Sequence, residues 1–163
     1  MHYNHPFDPV VFPNTVLLIL GTFPSLESCK RHGYYAHPRN QFWRILSDLF
    51  HVPATTELEK TALLNKYRIG LWDIIASCER TDSSDSNLTN CHLNDIPALL
   101  QKYPQISHLA FTGKKAARLY QKTYADLHVN CQTLPSPSPA FATMKYNTKK
   151  EAYRRCFQHV GIL

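Results

Sequence analysis

Apolar positions along this chain follow two alternating rhythms. Short unbroken runs occur at Val16 to Leu20, Ile69 to Ile75, His108 to Phe111 and His128 to Leu134. Each is rich in branched or aromatic side chains and too brief for a helix, which is the pattern of a strand buried on both faces. Between these runs the spacing lengthens to the helical period. Asn40 to Phe50 puts Phe42, Ile45, Leu46 and Leu49 on one stripe, and similar stripes cover Glu57 to Tyr67, Asn94 to Tyr103, Lys114 to Tyr124 and about Thr148 to His159.

Strands alternating with helical stretches predict an α/β fold, a parallel sheet with helices on both faces. In such sheets a ligand lies beyond the carboxyl ends of the strands. The site is therefore expected in the loops after Leu20, Ile75, Phe111 and Leu134, which read GTFPS, SCERTDSSDSN, TGK and PSPSPA. All are polar and punctuated by Gly, Pro or Ser. Apart from the Ser-rich stretch Thr81 to Ser86 there is no low-complexity tract, repeat or internal linker, so one domain over residues 1–163 is expected.

Composition narrows the function classes. With 44% hydrophobic and 18% charged residues the chain is ordinary for a globular protein, and no apolar run approaches the roughly 18 residues of a membrane span. MHYNHPFDP lacks the layout of a secretion signal, so a soluble cytoplasmic protein is expected. Five scattered cysteines without a C-x-x-C pair suggest reduced packing thiols, and nine histidines without an H-x-x-x-H pair on a predicted helix leave metal catalysis unsupported. The formal charge of +6 favours an anionic partner such as nucleic acid. Its lysines and arginines are dispersed, so any basic face must be assembled by folding.

Leu17 to Trp43 carries the densest chemistry. An apolar strand ends at Gly21, a Pro-containing loop follows, then Tyr34 and Tyr35, then Asn40 between Pro38-Arg39 and Phe42-Trp43. A backbone turn at a sheet edge, an aromatic platform and one uncharged polar group suit an extruded nucleobase. The second loop, Leu134 to Ala140, has three prolines that stiffen it and presents the hydroxyls of Ser136 and Ser138, which suits hydrogen bonding to phosphate. Both loops also read as plain turns.

Four segments, Gly21–Ser25 (GTFPS), Tyr34–Trp43 (YYAHPRNQFW), Leu71–Arg80 (LWDIIASCER) and Leu134–Ala140 (LPSPSPA), occur in an order that resembles the uracil-DNA glycosylase superfamily, most closely its hypoxanthine-DNA (deoxyinosine) glycosylases. The likeness runs from about His5 to the C-terminus. It implies a three-layer α/β/α fold with a four-stranded parallel sheet, and an enzyme that flips a damaged base from double-stranded DNA and hydrolyses its glycosidic bond without metal or cofactor. Relatives specialised for uracil or mismatched thymine carry Asp or Asn where this chain has Phe23; a phenyl ring cannot position water, and the resemblance moves that duty to Asn40. Asn40 is equally a candidate helix N-cap.

The remaining site residues follow from the same resemblance joined to chemistry. Gly21, Thr22 and Phe23 are expected against the base, with the backbone N–H groups of Thr22 and Phe23 toward the leaving group. Tyr35 is the expected stacking partner, with Tyr34 in reserve. Asp73 is placed to accept the N1–H of hypoxanthine and to repel adenine, whose N1 is an acceptor; closing a strand turn or pairing with Arg80 are the structural alternatives. Pro24, Ser25, Ser136, Pro137 and Ser138 are expected to meet DNA. Phe141, where family members often have Asn or His, reads either as a wedge into the emptied stack or as the buried start of a helix.

The function expected is monofunctional excision of hypoxanthine by a monomer. Excision of uracil or a mismatched base, and a non-catalytic nucleic-acid-binding module of the same fold, are the alternatives.

Overall fold

A computed structural model of the chain describes residues 1–81 and 87–163. Four strands, β2 (Leu17–Gly21), β3 (Ile69–Asp73), β6 (His108–Thr112) and β7 (Asn130–Leu134), form a parallel sheet in the order β3-β2-β6-β7. The central strand β2 is buried at every position. Its side chains alternate between two apolar layers, as the period of a strand requires. Leu17 and Ile19 join a core with α2 (Phe42–Phe50), α3 (Glu57–Lys66) and α6 (Tyr146–Val160). Leu18 and Leu20 face the opposite core, with Ile96 and Leu99 of α4 (Ile96–Lys102) and Ala116 and Tyr120 of α5 (Lys114–Tyr124). The three-layer α/β/α architecture with four parallel strands is thus the observed one.

The run expected as one strand from Ile69 to Ile75 is two. β3 stops at Asp73, where the Ile74 and Ile75 N–H groups donate to Gly21 O and Thr22 O at 2.8 and 3.1 Å. The chain then enters β4 (Ile75–Glu79), which pairs antiparallel with β1 (His2–Asn4) and β5 (Thr89–Leu93) in a separate sheet of order β1-β4-β5. The Ser-Cys-Glu-Arg portion of the expected loop is therefore mostly strand β4, and the Ser-rich portion at residues 82–86 lies outside the described residues. A short helix, α1 (Leu26–Arg31), follows the first loop, its N-cap Ser25 accepting a bond from Ser28 N–H at 3.1 Å. All five cysteines are free thiols. Among the described residues no helix is long and apolar enough to cross a membrane.

Candidate active site

The carboxyl ends of all four parallel strands converge on one cavity of about 290 Å³. That volume lies near the lower end of small-ligand sites, room for a single base. Gly21 is at its centre because of register. It pairs with Asp73 across β2–β3, and the neighbouring β2–β6 pairing of Leu20 with Phe111 brings Thr112 to its other side. A Cβ on Gly21 would lie 2.5 Å from Asp73 Oδ1, 3.3 Å from Thr112 Oγ1 and 3.3 Å from Tyr35 Oη. Three oxygens thus face a glycine whose missing side chain leaves them room.

Asp73 is only 4% exposed. Its Oδ2 lies 2.8 Å from His5 Nε2, so its side-chain partner is His5, and the alternative of pairing with Arg80 is not what forms. Arg80, also buried, donates instead to Pro24 O and lies 5.0 Å from the ring centroids of both Tyr3 and Phe23. It thereby braces the first loop from below. Phe23 forms part of a small core with Ile75, Cys78 and Leu88, so its ring belongs to the seam between the two sheets as well as to the cavity. Thr22 lines the cavity too, with Oγ1 buried and without a hydrogen-bond partner among the described residues.

Tyr34 and Tyr35 both line the cavity but differ in setting. Tyr34 donates its hydroxyl to Asp8 O at 3.0 Å, and burial, then the charge of Asp73, push its phenol far above the ordinary value, so it stays neutral. Tyr35 stacks one ring face on Phe42 at 4.0 Å and pairs its hydroxyl with Thr112 Oγ1 at 3.1 Å. Its backbone is left-handed, with φ of 55°, a conformation that costs a non-glycine residue about 1 kcal/mol or more and recurs at functional sites.

On the opposite wall, Asn40 ends a turn in which its N–H donates to His37 O at 2.9 Å. The helix begins later than expected, at Phe42, and its N-cap Gln41 makes no side-chain cap bond. Asn40 supplies it from one residue upstream, Oδ1 accepting from Phe42 N–H at 2.9 Å. Capping and a place in the cavity are therefore held by the same side chain. The next residue, Gln41, donates its N–H to Pro137 O at 3.0 Å and so ties this wall to the Ser-Pro loop.

That loop is internally braced. Ser138 N–H donates to Ser136 Oγ and Ala140 N–H to Ser138 Oγ, both at 3.2 Å, so each hydroxyl oxygen accepts within the loop. Helix α6 holds the loop at both ends, with Tyr153 Oη donating to Pro135 O at 2.9 Å and buried Lys149 Nζ to Phe141 O at 2.7 Å. Phe141 lines the cavity five residues before α6 starts, so it is not a buried helix start. Pro24 and Pro137 are buried; each shapes its loop through a carbonyl used internally.

The described residues include every sequence-level candidate, and all thirteen line this one cavity. Beyond these thirteen, Ser28, Thr112 and Ala140 also line the cavity, and His5 stands behind Asp73. Thr112 had a signal, since it opens the flagged TGK loop. His5 had none: it lies 68 residues from Asp73.

The profile described as the uracil DNA glycosylase superfamily matches residues 9–160. The chain belongs to that superfamily. It is 32% identical over 155 residues to a protein of Methanosarcina acetivorans named hypoxanthine DNA glycosylase, a match covering 94% of this chain and 97% of the relative. A protein of the same name from Methanosarcina barkeri is 32% identical over 112 residues, 68% of this chain and 71% of that one. The fold superposes with a TM-score of 0.84, at 30% identity and over 98% and 99% of the two chains, on a solution NMR structure of a candidate uracil DNA glycosylase from Methanosarcina acetivorans.

Proposed function

We propose that this superfamily member is a monofunctional DNA glycosylase that hydrolyses the N-glycosidic bond of a flipped deaminated base in DNA, hypoxanthine foremost. One observation carries the reading: a base-sized cavity holds a buried carboxylate, Asp73, on one wall and a pinned carboxamide, Asn40, on the other. The names borne by the two Methanosarcina relatives support the same substrate.

Cleavage of an N-glycosidic bond develops positive charge on the sugar and negative charge on the departing base. Asn40 Oδ1 has a second lone pair beyond the one taken by Phe42 N–H, and it orients the attacking water toward C1′. Thr22 and Phe23 present backbone N–H groups to the leaving base. Asp73 accepts N1–H of hypoxanthine and repels N1 of adenine, while the Phe23 and Tyr34 walls limit what else fits. Tyr35 stacks the base. The hydroxyls of Ser136 and Ser138, with exposed Arg39 beside Asn40 and exposed Lys114 beyond Thr112, meet the DNA backbone. Phe141 occupies the space vacated by the base. Among the described residues lining the cavity none is a lysine, which favours direct hydrolysis over an amine nucleophile.

The test is a panel of duplexes containing deoxyinosine, deoxyuridine, deoxyxanthosine or no lesion, incubated in EDTA and then treated with alkali. Strand breaks at deoxyinosine only after alkali are expected. Release confined to uracil transfers the reading to a uracil enzyme. Binding without release from any duplex leaves a non-catalytic module.

A further inference from the structure

His5 belongs to an N-terminal arm that the fold takes trouble to fix. Its own N–H donates to Ala76 O at 2.7 Å, and a few residues on, Val10 exchanges two backbone bonds of 2.8 Å with Leu71 of β3. The arm delivers the imidazole into an aromatic cage, with ring centroids 5.7 Å from Phe23, 5.8 Å from Phe7 and 6.0 Å from Tyr34. The His5 and Asp73 side chains are 5% and 6% exposed.

The ring's two nitrogens face different groups. Nε2 lies 2.8 Å from Asp73 Oδ2, while Nδ1 lies 2.8 Å from the carbonyl of Phe7 and 3.2 Å from Phe7 N–H, which donates to it. A hydrogen on Nε2 makes the Asp73 contact a donor–acceptor pair whichever contact Nδ1 keeps. That N–H occupies Oδ2 with a charge-assisted bond and leaves Oδ1 on the Gly21 side of the cavity. Ionisable groups nearby include Tyr34, neutral and donating to Asp8 O, and Tyr35, whose hydroxyl is paired with Thr112.

We propose that His5 is a positioning residue for base selection: it clamps Oδ2 of Asp73 and aims Oδ1 at the N–H edge of the flipped base. This rests on the role given above to Asp73 and extends it to a residue outside the four motifs. Without His5 the buried Oδ2 loses its donor, and a buried acceptor left unpaired costs more than the bond itself contributes. The carboxylate then turns to find another partner, and Oδ1 no longer faces the N1–H edge of the base.

The experiment compares His5→Met, His5→Gln, Asp73→Asn and the His5→Met/Asp73→Asn pair, each checked by its thermal melt, in single-turnover release from a deoxyinosine duplex and in binding to undamaged duplex. His5→Met is expected to slow release by about tenfold or more, the scale of one charge-assisted hydrogen bond, with plain duplex binding unchanged. Gln, whose amide N–H reaches toward Oδ2, should restore most of the rate. With Asn at position 73 the His5→Met change should have little further effect. A folded His5→Met variant at the wild-type rate, a Gln variant as slow as Met, or an undiminished effect beside Asp73→Asn overturns the proposal. Should His5→Met fail to fold, the Gln variant decides alone, and a folded Gln variant more than about tenfold slower overturns it. A wild type that releases no base from any lesion duplex removes the proposed function itself, and with it this role.

Discussion

The two walls of the cavity are built on opposite principles. The Asp73 wall is dry: Asp73, Arg80 and Phe23 are buried and the His5 side chain is 5% exposed, with His5 paired to Asp73 and Arg80 donating to the Pro24 carbonyl. The Asn40 wall is wetter and is held mainly through backbone, by the Gln41–Pro137 bond, the Ser136 and Ser138 turns and the Lys149 anchor. A buried charge in a low-dielectric wall discriminates strongly between donors and acceptors, because a mismatched partner has no water to replace it. A half-open wall admits water and a DNA strand. On the proposed function, recognition falls to the first wall and hydrolysis to the second, and the following substitutions test that division.

The largest effect is expected on the open wall. Asn40→Ala should cut single-turnover release by about 10²-fold or more, the scale of losing one positioned catalytic group. Losing its bond to Phe42 N–H should cost about 1 kcal/mol of stability, measured by thermal or urea unfolding. Asn40→Asp keeps the cap, since Asp serves as well as Asn there, and should retain part of the activity. An Ala variant near the wild-type rate would reduce Asn40 to a cap and leave the wall without its chemistry.

On the dry wall, Asp73→Asn should lower deoxyinosine release by about tenfold to 10²-fold through loss of an ionised acceptor, while binding to undamaged duplex stays within error. Equal losses in both assays would mark a folding role. Gly21→Ala is milder in chemistry but cruder in geometry. Its methyl would sit 2.5 Å from Asp73 Oδ1, so the carboxylate or the strand must move. A destabilisation of about 1–3 kcal/mol is expected, with a loss of release near the low end of the Asp73→Asn range. A Gly21→Ala variant with unchanged release would show that Oδ1 is not where the base is read.

The difference between the walls also explains what the sequence made legible. The parallel sheet was readable because β2, β3 and β6 are buried on both faces and so appear as unbroken apolar runs. The antiparallel sheet was not: β5 is largely exposed, and the Ser-Cys-Glu of β4 has the polarity of a loop. Helix α1, six residues long, is too short to show a period, although Ser25 ahead of it was an available cap signal. Asn40 and Asp73 could be found because each sits in a local motif at the end of an element. Their partners are set by tertiary packing: His5 reaches Asp73 across the chain, and Arg80 turns toward the Pro24 carbonyl. Local pattern marks where a polar group stands; which neighbour fixes it is decided by the fold.

The smallest effect, and the one that best isolates the open wall's scaffold, concerns Lys149. This lysine is 1% exposed, and burial lowers its pKa from the ordinary 10.5. Its ammonium holds Phe141 O, while Tyr153–Pro135 and Gln41–Pro137 hold the rest of the loop. Lys149→Met fills the same space without a charge, so the loop should loosen only at its far end. Release should fall by about one hydrogen bond's net contribution, roughly 1 kcal/mol or fivefold. Stability should move the other way or barely at all, because replacing a buried charge by an apolar side chain of similar volume is often neutral or favourable. The sign with pH follows from the lowered value. Below it the wild type folds with a charged, desolvated ammonium; as pH rises toward 10.5 the folded state gives up its proton before the unfolded one, and the wild type gains stability that the variant does not. The melting difference between the two should therefore shift in favour of the wild type as pH climbs through that window. A Met variant that loses stability and release in proportion would make Lys149 a general support of α6, not the anchor of the Phe141 loop.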